Sequence, residues 1–309
     1  MNPADYQLVI IGGGPAGLTA GIYAARARLK AVLLENGAVA GQVLTTDWVD
    51  NYPGFPDGIS GFELIDRMTA QAARFGLETR QAQVTGLDIA LPIKKVHLES
   101  GETITSRALI IATGARPNQL GVPGEKELTG KGVSYCATCD GPFYRDQEIA
   151  VVGGGDTAVQ EAEHLTKFAS RVTVVHRRAQ LRATQIIQEK AFANPKIHFL
   201  WNTQVKGIEG TAGVQRLHLQ TNDGQEGSLA VTGVFVLIGT TPNNDFLPLE
   251  QLGSDKHGFV LTDGEMRTKI PGIMAAGDIR SKNVRQIVNG AGEGAVAVLA
   301  AVDYLNDFE

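Results

Sequence analysis

The chain has 309 residues, room for two domains at roughly 150 residues each, and its 43% apolar and 20% charged residues exclude a disordered or fibrous protein. A formal net charge of −5, with no basic tail at either end, argues against nucleic acid as a partner. No signal peptide precedes the first apolar run, and Gly290 to Val302 carries Glu293, which does not suit a membrane span of about 20 apolar residues. A cytoplasmic chain with no membrane partner is expected.

Tyr6 to Ile11 is a β-rich apolar run that enters Gly12-Gly13-Gly14-Pro15-Ala16-Gly17, and Leu18 to Arg28 reads as a helix. In this fingerprint Gly12 permits the tight turn, Gly14 lets a pyrophosphate approach the backbone, and Gly17 lets helix pack on strand. The phosphates lie at the helix N-terminus. Leu33-Leu34-Glu35 puts a carboxylate 23 positions after Gly12, suited to accept hydrogen bonds from a free ribose diol, which fits FAD or NAD. Gly41 to Ser60, with Asn51-Tyr52-Pro53-Gly54-Phe55-Pro56, has turn chemistry rather than periodicity, as expected of a loop contacting a cofactor. Ala108 to Ile111 is a later strand that runs on through Ala112-Thr113-Gly114-Ala115-Arg116-Pro117-Asn118.

The only two cysteines follow, in Cys136-Ala137-Thr138-Cys139-Asp140. Half a zinc site is the main alternative, but four ligands are needed, no other cysteine exists and the six histidines show no matching pair, so no metal is expected. In a reducing compartment such a pair is more often catalytic or metal-binding than a structural staple. A C-x-x-C pair can close a disulfide and hold a thiolate at modestly lowered pKa. Asp140 reads either as a proton donor and acceptor for the exchange or as a turn acid before Gly141-Pro142.

Glu148 to Val152 repeats the first strand, and Gly153-Gly154-Gly155-Asp156-Thr157-Ala158 repeats the turn with Ala158 in place of the third glycine, leading into a helix to Lys167. The residue 23 positions after Gly153 is His176, followed by Arg177 and Arg178, with Arg182 one turn further. Guanidinium forks bind a 2′-phosphate that a carboxylate would repel, which fits NADPH. Val234 to Asn243 ends in Gly239-Thr240-Thr241-Pro242-Asn243, matching the Gly114 strand end. Gly12 and Gly114 are 102 positions apart and Gly153 and Gly239 are 86 apart, so the first copy carries 16 extra residues, assigned to Gly41–Ser60. Gly272 to Ala276 is a short strand before Gly277-Asp278. Asp278 is suited to sugar or ribityl hydroxyls, or is a turn acid. Ala291 to Leu305 reads as a last helix that completes the first domain. The fold class expected is α/β, with two Rossmann-like, three-layer dinucleotide-binding domains, the second inserted into the first.

These motifs, together with Gly41-Gln42, Arg182-Ala183 and Arg285-Gln286, make the chain resemble the low-molecular-weight, bacterial-type thioredoxin reductases along essentially its whole length. The resemblance implies a homodimer that holds FAD in residues 1–117 and 245–309 and NADPH in residues 118–244. It implies FAD contacts from Gly12, Gly14, Pro15, Ala16, Gly17, Glu35, Gly41, Gln42, Asn51, Thr113, Gly114, Gly277, Asp278, Arg285 and Gln286. For NADPH it implies Gly153, Gly155, Asp156, Thr157, Ala158, His176, Arg177, Arg178, Arg182 and Gly239. Hydride would pass from NADPH to the flavin and on to a Cys136–Cys139 disulfide, with Cys139 toward the flavin, Cys136 attacking thioredoxin and Asp140 assisting as acid. Segments near 117–121 and 243–247 would be hinges between two domain orientations. Two alternatives stay open: a related flavin disulfide reductase serving a peroxiredoxin or another dithiol protein, and a redox-sensing dinucleotide-binding protein without turnover. Flavoproteins of the first kind usually carry an extra N-terminal thioredoxin-like region, whereas this chain starts at its first strand.

Overall fold

A computed structural model of the chain describes residues 4–307 except 38–40, 45, 47, 90 and 91. Two compact units emerge, Met1–Arg116 with Thr241–Glu309, and Pro117–Thr240. The first begins with β1 (Tyr6–Ile11), α1 (Pro15–Arg26), β2 (Ala31–Glu35), α2 (Gly61–Arg74), β3 (Glu78–Gln81), β4 (Val84–Asp88), β5 (Lys94–Leu98) and β6 (Thr103–Ile111), and leaves through β7 (Ala115–Pro117). β1 lies between β2 and the second half of β6, all parallel, with Leu8 opposite Ala31 and Val9 opposite Leu109. The first half of β6 runs antiparallel to β5, which pairs with β4.

The second unit contains β8 (Val133–Ser134), α3 (Ala137–Asp140), β9 (Glu148–Gly153), α4 (Asp156–Leu165), β10 (Arg171–Val175), α5 (Gln185–Ala193), β11 (Ile197–Leu200), β12 (Thr203–Gly210), β13 (Val214–Thr221), β14 (Glu226–Ala230) and β15 (Gly233–Leu237). Its parallel sheet has the order β11-β10-β9-β15-β8, and β12-β13-β14 form an antiparallel meander. The chain returns through β16 (Thr240–Pro242), which pairs with β7, and finishes the first unit with α6 (Leu249–Leu252), β17 (Ile273–Ala275) and α7 (Ile287–Asn306). β17 adds to β6, so the first unit has the parallel order β3-β2-β1-β6-β17, the same plan as the second.

Three layers follow in each unit from the period of two along a strand. Leu8 and Ile10 pack with Leu18, Leu64, Met68 and Val298 on the helical face, whereas Val9 and Ile11 pack with Val96, Ile104 and Leu109 on the meander side. In the second unit Ile149 and Val151 join Val159, Leu165 and Phe235, while Ala150 and Val152 join Leu217 and Val234. Both faces of each central strand are covered, so these strands read as unbroken apolar runs. Each fully buried Leu, Ile or Val there contributes roughly 1.5–3 kcal/mol.

The helices begin earlier than periodicity suggests: α1 at Pro15 rather than Leu18, α4 at Asp156 rather than Ala158, and α7 at Ile287 rather than Ala291. Pro15 at the first position of α1 needs no hydrogen-bond acceptor, so it can open the helix. Residues 36–60 join β2 to α2, against residues 176–184 joining β10 to α5. The first copy's surplus therefore lies in that segment, of which residues 38–40, 45 and 47 fall outside the described residues.

Candidate functional site

In the first unit the glycine turn is held by close backbone approach. Gly12 has φ +110°, and a Cβ there would overlap the carbonyl oxygen of Ala112, the residue before Thr113. A Cβ on Gly17 would overlap the Gly12 carbonyl oxygen, so α1 can start only with glycine at that crossing. Gly14 is the N-cap of α1, and apart from its chain neighbours no atom of the described residues stands within 4 Å of where its Cβ would be. That open approach to a helix N-terminus is what a pyrophosphate requires.

Glu35, at the end of β2, accepts a hydrogen bond from the Gly13 N–H and another from the Gly37 N–H at 3.5 Å, so its carboxylate is fixed beside the turn. Thr113 donates through Oγ1 to the Asn243 carbonyl at 2.8 Å, and the Asn243 N–H donates to the Gly114 carbonyl at 3.0 Å. Gly114 itself has φ +69° and open space at its Cβ position. Gln42 donates to the Ala115 carbonyl, Asn51 donates to Gln286 Oε1 at 3.0 Å, and Gly41 is exposed.

Gly277, at φ +80°, starts a 3-10 turn through Ile279, and a Cβ there would stand 2.9 Å from the Ala16 side chain. Gly294 of α7 meets the Ala16 carbonyl so closely that a Cβ would overlap it. The glycine turn, the Gly277-Asp278 turn and the first half of α7 thus converge on Ala16. Burial raises the Asp278 carboxyl above the ordinary carboxylate range, and Lys282, 3.3 Å away, pulls in the opposite direction.

A buried ionic cluster supports this corner and is absent from the sequence reading. Glu293, 7% exposed, accepts the Gly277 N–H at 2.7 Å and pairs with Arg280 at 2.7 Å and Lys282 at 3.2 Å. An acid among the small apolar residues of the first half of α7 was the available signal. Arg285 donates to the carbonyls of Lys282 and Arg280 at 3.0 and 3.4 Å and lies 4.2 Å from the Phe259 ring centre. Its Nε is buried without a hydrogen-bond partner among the described residues, which leaves one donor for a ligand, as a flavin site would use.

The second unit repeats the turn. A Cβ on Gly153 would stand 2.5 Å from both the Ala158 Cβ and the Leu237 carbonyl oxygen, and Gly155 caps α4 with nothing within 4 Å. Asp156 accepts the Thr184 N–H at 2.6 Å, and Thr157 is exposed. Gly239, at φ +113°, accepts the Asn118 N–H at 2.9 Å. Arg177, Arg178 and Arg182 are exposed, and no acidic side chain pairs with any of them among the described residues. His176, by contrast, is buried at 4% exposure.

Cys136 and Cys139 form a disulfide with Cα atoms 5.3 Å apart, Cys136 as the N-cap of α3 and Cys139 within it. Both are half-buried. The Ser134 hydroxyl accepts the Cys136 N–H at 3.1 Å and donates to the Cys136 carbonyl at 3.3 Å, fixing the approach to the helix. α3 rests on α4, since a Cβ on Gly141 would meet Leu165 at 3.0 Å and Phe168 at 3.3 Å. Burial pushes the Tyr144 hydroxyl up to about 12, with the Asp140 charge adding to the effect. Asp140 lies directly after Cys139, its N–H donating to the Cys136 carbonyl at 3.1 Å. Among the described residues no group of three or more His, Cys, Asp or Glu side chains could hold a metal ion, and no helix is long and apolar enough to cross a membrane.

Two nucleotide-type turns and a redox-type disulfide in one chain define a class. The chain belongs to the pyridine nucleotide-disulphide oxidoreductase family, whose model matches residues 6–294. Within it the chain is similar to the thioredoxin reductase of Peptoclostridium litorale, at 46% identity over 98% of both chains. The crystal structure of thioredoxin reductase from Streptococcus pyogenes superposes with a TM-score of 0.93 at 45% identity, over 98% of this chain and 99% of that one. The thioredoxin reductase of Giardia duodenalis also gives 0.93, at 37% identity over 97% and 99%.

Proposed function

We propose that the chain is an NADPH-dependent thioredoxin-disulfide reductase, with FAD in the first unit, NADPH in the second and the Cys136–Cys139 disulfide as the redox centre. The observation that carries the reading is that disulfide, closed inside a dinucleotide-binding unit of a chain that has a second such unit. Gly14, Arg285 Nε and Asp278 support a flavin in the first unit. Three exposed guanidinium groups beside the Gly153–Ala158 turn support a 2′-phosphorylated nicotinamide nucleotide in the second.

When bound, the flavin and the nicotinamide nucleotide supply the electron pair that opens the disulfide. The chain then performs thiol–disulfide exchange. The Cys136 thiolate attacks one sulfur of the partner's disulfide, forming a mixed disulfide and releasing a partner thiolate that takes up a proton. Cys139 next attacks the Cys136 sulfur, which re-forms the internal disulfide and releases the partner as a dithiol. Asp140 is adjacent to hold and pass that proton. The partner is thioredoxin.

We also infer a homodimer, supported by the exposed Val288, Val296 and Leu299 on α7 and Tyr23 on the neighbouring α1. A cytoplasmic location accords with the dithiol chemistry. The segments 117–121 and 243–247 are the proposed hinges.

Purified protein should be yellow, should be bleached anaerobically by NADPH far better than by NADH, and should then reduce a thioredoxin. A flavin that NADPH leaves oxidised refutes the nicotinamide assignment, and bleaching without thioredoxin reduction refutes the partner.

A further inference from the structure

We propose that His176 is a positioning residue that sets the preference for a 2′-phosphorylated nucleotide by fixing the arginine loop against the glycine turn, rather than a ligand of the phosphate. The proposal rests on the NADPH reading above and deepens it.

The two units provide an internal comparison. In each, the residue just after or at the end of the second strand lies beside the middle glycine of the turn. In the first unit this is Glu35, whose carboxylate accepts the Gly13 N–H. In the second it is His176, and a Cβ on Gly154 would overlap its imidazole ring, so ring and turn are in direct apposition.

The ring is enclosed on its other sides as well. Trp201 meets it edge-on with ring centres 6.3 Å apart, and only 4% of the residue reaches solvent. Its Nε2 lies 3.0 Å from the Gln180 carbonyl oxygen. A carbonyl can only accept, so Nε2 carries the hydrogen and donates it. The backbone is equally fixed, with the His176 N–H donating to Leu200 at 2.9 Å and its carbonyl accepting the Thr203 N–H at 3.0 Å.

The loop that carries the three arginines is therefore tied at three points. Gln180 is tied to the His176 ring, Arg182 donates its N–H to the Gly154 carbonyl at 2.7 Å, and Thr184 donates its N–H to Asp156. The Arg177, Arg178 and Arg182 side chains on this loop are exposed, with no acidic partner among the described residues. The His176 side chain touches both the middle glycine of the turn and the loop. A guanidinium fork discriminates only when its geometry is held, so the residue that holds the loop controls the discrimination.

The test measures binding of adenosine 2′,5′-diphosphate and of ADP-ribose, by calorimetry, to the flavin-loaded wild-type protein, His176→Ala and His176→Gln. The alanine variant should bind adenosine 2′,5′-diphosphate about tenfold or more weakly, and ADP-ribose within about threefold of wild type, because the phosphate contacts alone lose their support. Glutamine carries an amide N–H that can reach the Gln180 carbonyl and has no charge, so it should restore most of the lost affinity. If glutamine is as weak as alanine, the imidazole itself contacts the phosphate and the proposal is overturned. An alanine variant that binds both ligands as wild type does overturns it as well. Should the alanine variant fail to fold, the glutamine variant decides alone, since retained preference supports the role and lost preference refutes it. A wild-type protein with no preference for adenosine 2′,5′-diphosphate would bring down the NADPH reading itself, before any variant is compared.

Discussion

Replacing Lys94 with methionine should stabilise the protein near neutral pH and lose that advantage in alkali. Lys94 begins β5 with its side chain facing inward, fully buried. Its ammonium donates to the Tyr304 hydroxyl at 2.9 Å and the Pro92 carbonyl at 3.4 Å and lies 4.7 Å from the Tyr304 ring centre, but no carboxylate pairs with it among the described residues. Burial pulls its pKa down from 10.5 to about 8. The folded protein therefore releases the proton first, and the unfolded chain binds more protons between those two values. Below about pH 8 the cost of burying the charge is fully present; it disappears as pH rises toward 10.5, so this group makes stability increase with pH over that window. The size is about 3 kcal/mol. Lys94→Met removes that cost and loses the Tyr304 contact, worth about 1 kcal/mol, for a net gain of about 2 kcal/mol at pH 7 that reverses by about pH 10.5. Urea unfolding of both proteins from about pH 7 to 10 measures the difference, in which titrating groups that do not touch Lys94 cancel. A difference that stays constant within about 0.5 kcal/mol across that range refutes the argument.

The two glycine turns predict an asymmetry: Gly17→Ala should destabilise by about 3 kcal/mol or more because the new methyl overlaps the Gly12 carbonyl, whereas Ala158→Gly should cost only about 1 kcal/mol of helix propensity. Thermal melts of both variants compare them directly, and equal losses would contradict the packing account. Arg177→Ala with Arg178→Ala should raise the KM for NADPH about tenfold or more with little effect on NADH, and equal loss for both nucleotides excludes a 2′-phosphate role. In Cys136→Ser, flavin reduction by NADPH should persist while steady-state thioredoxin reduction disappears, and retained turnover would show that Cys139 alone meets the partner.

What sequence revealed and what it concealed divide along the range of the forces involved. The glycines of the two turns are legible because their spacing is a local pattern: Gly17 answers the Gly12 carbonyl within one strand–turn–helix unit, and Gly12 is marked by its place in that pattern although the carbonyl it meets belongs to Ala112. The arginines are legible because their position relative to that turn is fixed by the strand between. Burial of His176 is not, because it depends on Gly154 and Trp201 arriving from elsewhere in the unit. The same holds for Glu293, whose partners Arg280 and Lys282 meet it only when α7 lies against the Gly277 turn. Lys94 and Lys95 look alike in a polar stretch, yet the alternation along β5 sends one inward and the other out.

The edge strand of the first sheet has a consequence for the order in which the protein is made. β17 and α7 leave the ribosome after the whole insert, so residues 117–240 can complete their own sheet while residues 1–116 wait with one side of β6 open. A waiting strand edge is a template for wrong pairing. The insert shortens the search that ends the wait. Its two ends, β7 and β16, are paired strands, so once it is folded the chain on either side is already brought together. Without that, closing a gap of this length costs about 4 kcal/mol of chain entropy. The inserted domain is in this sense a folding clamp for its host, and lesions that unfold it should delay the closure of a sheet to which it contributes no strand.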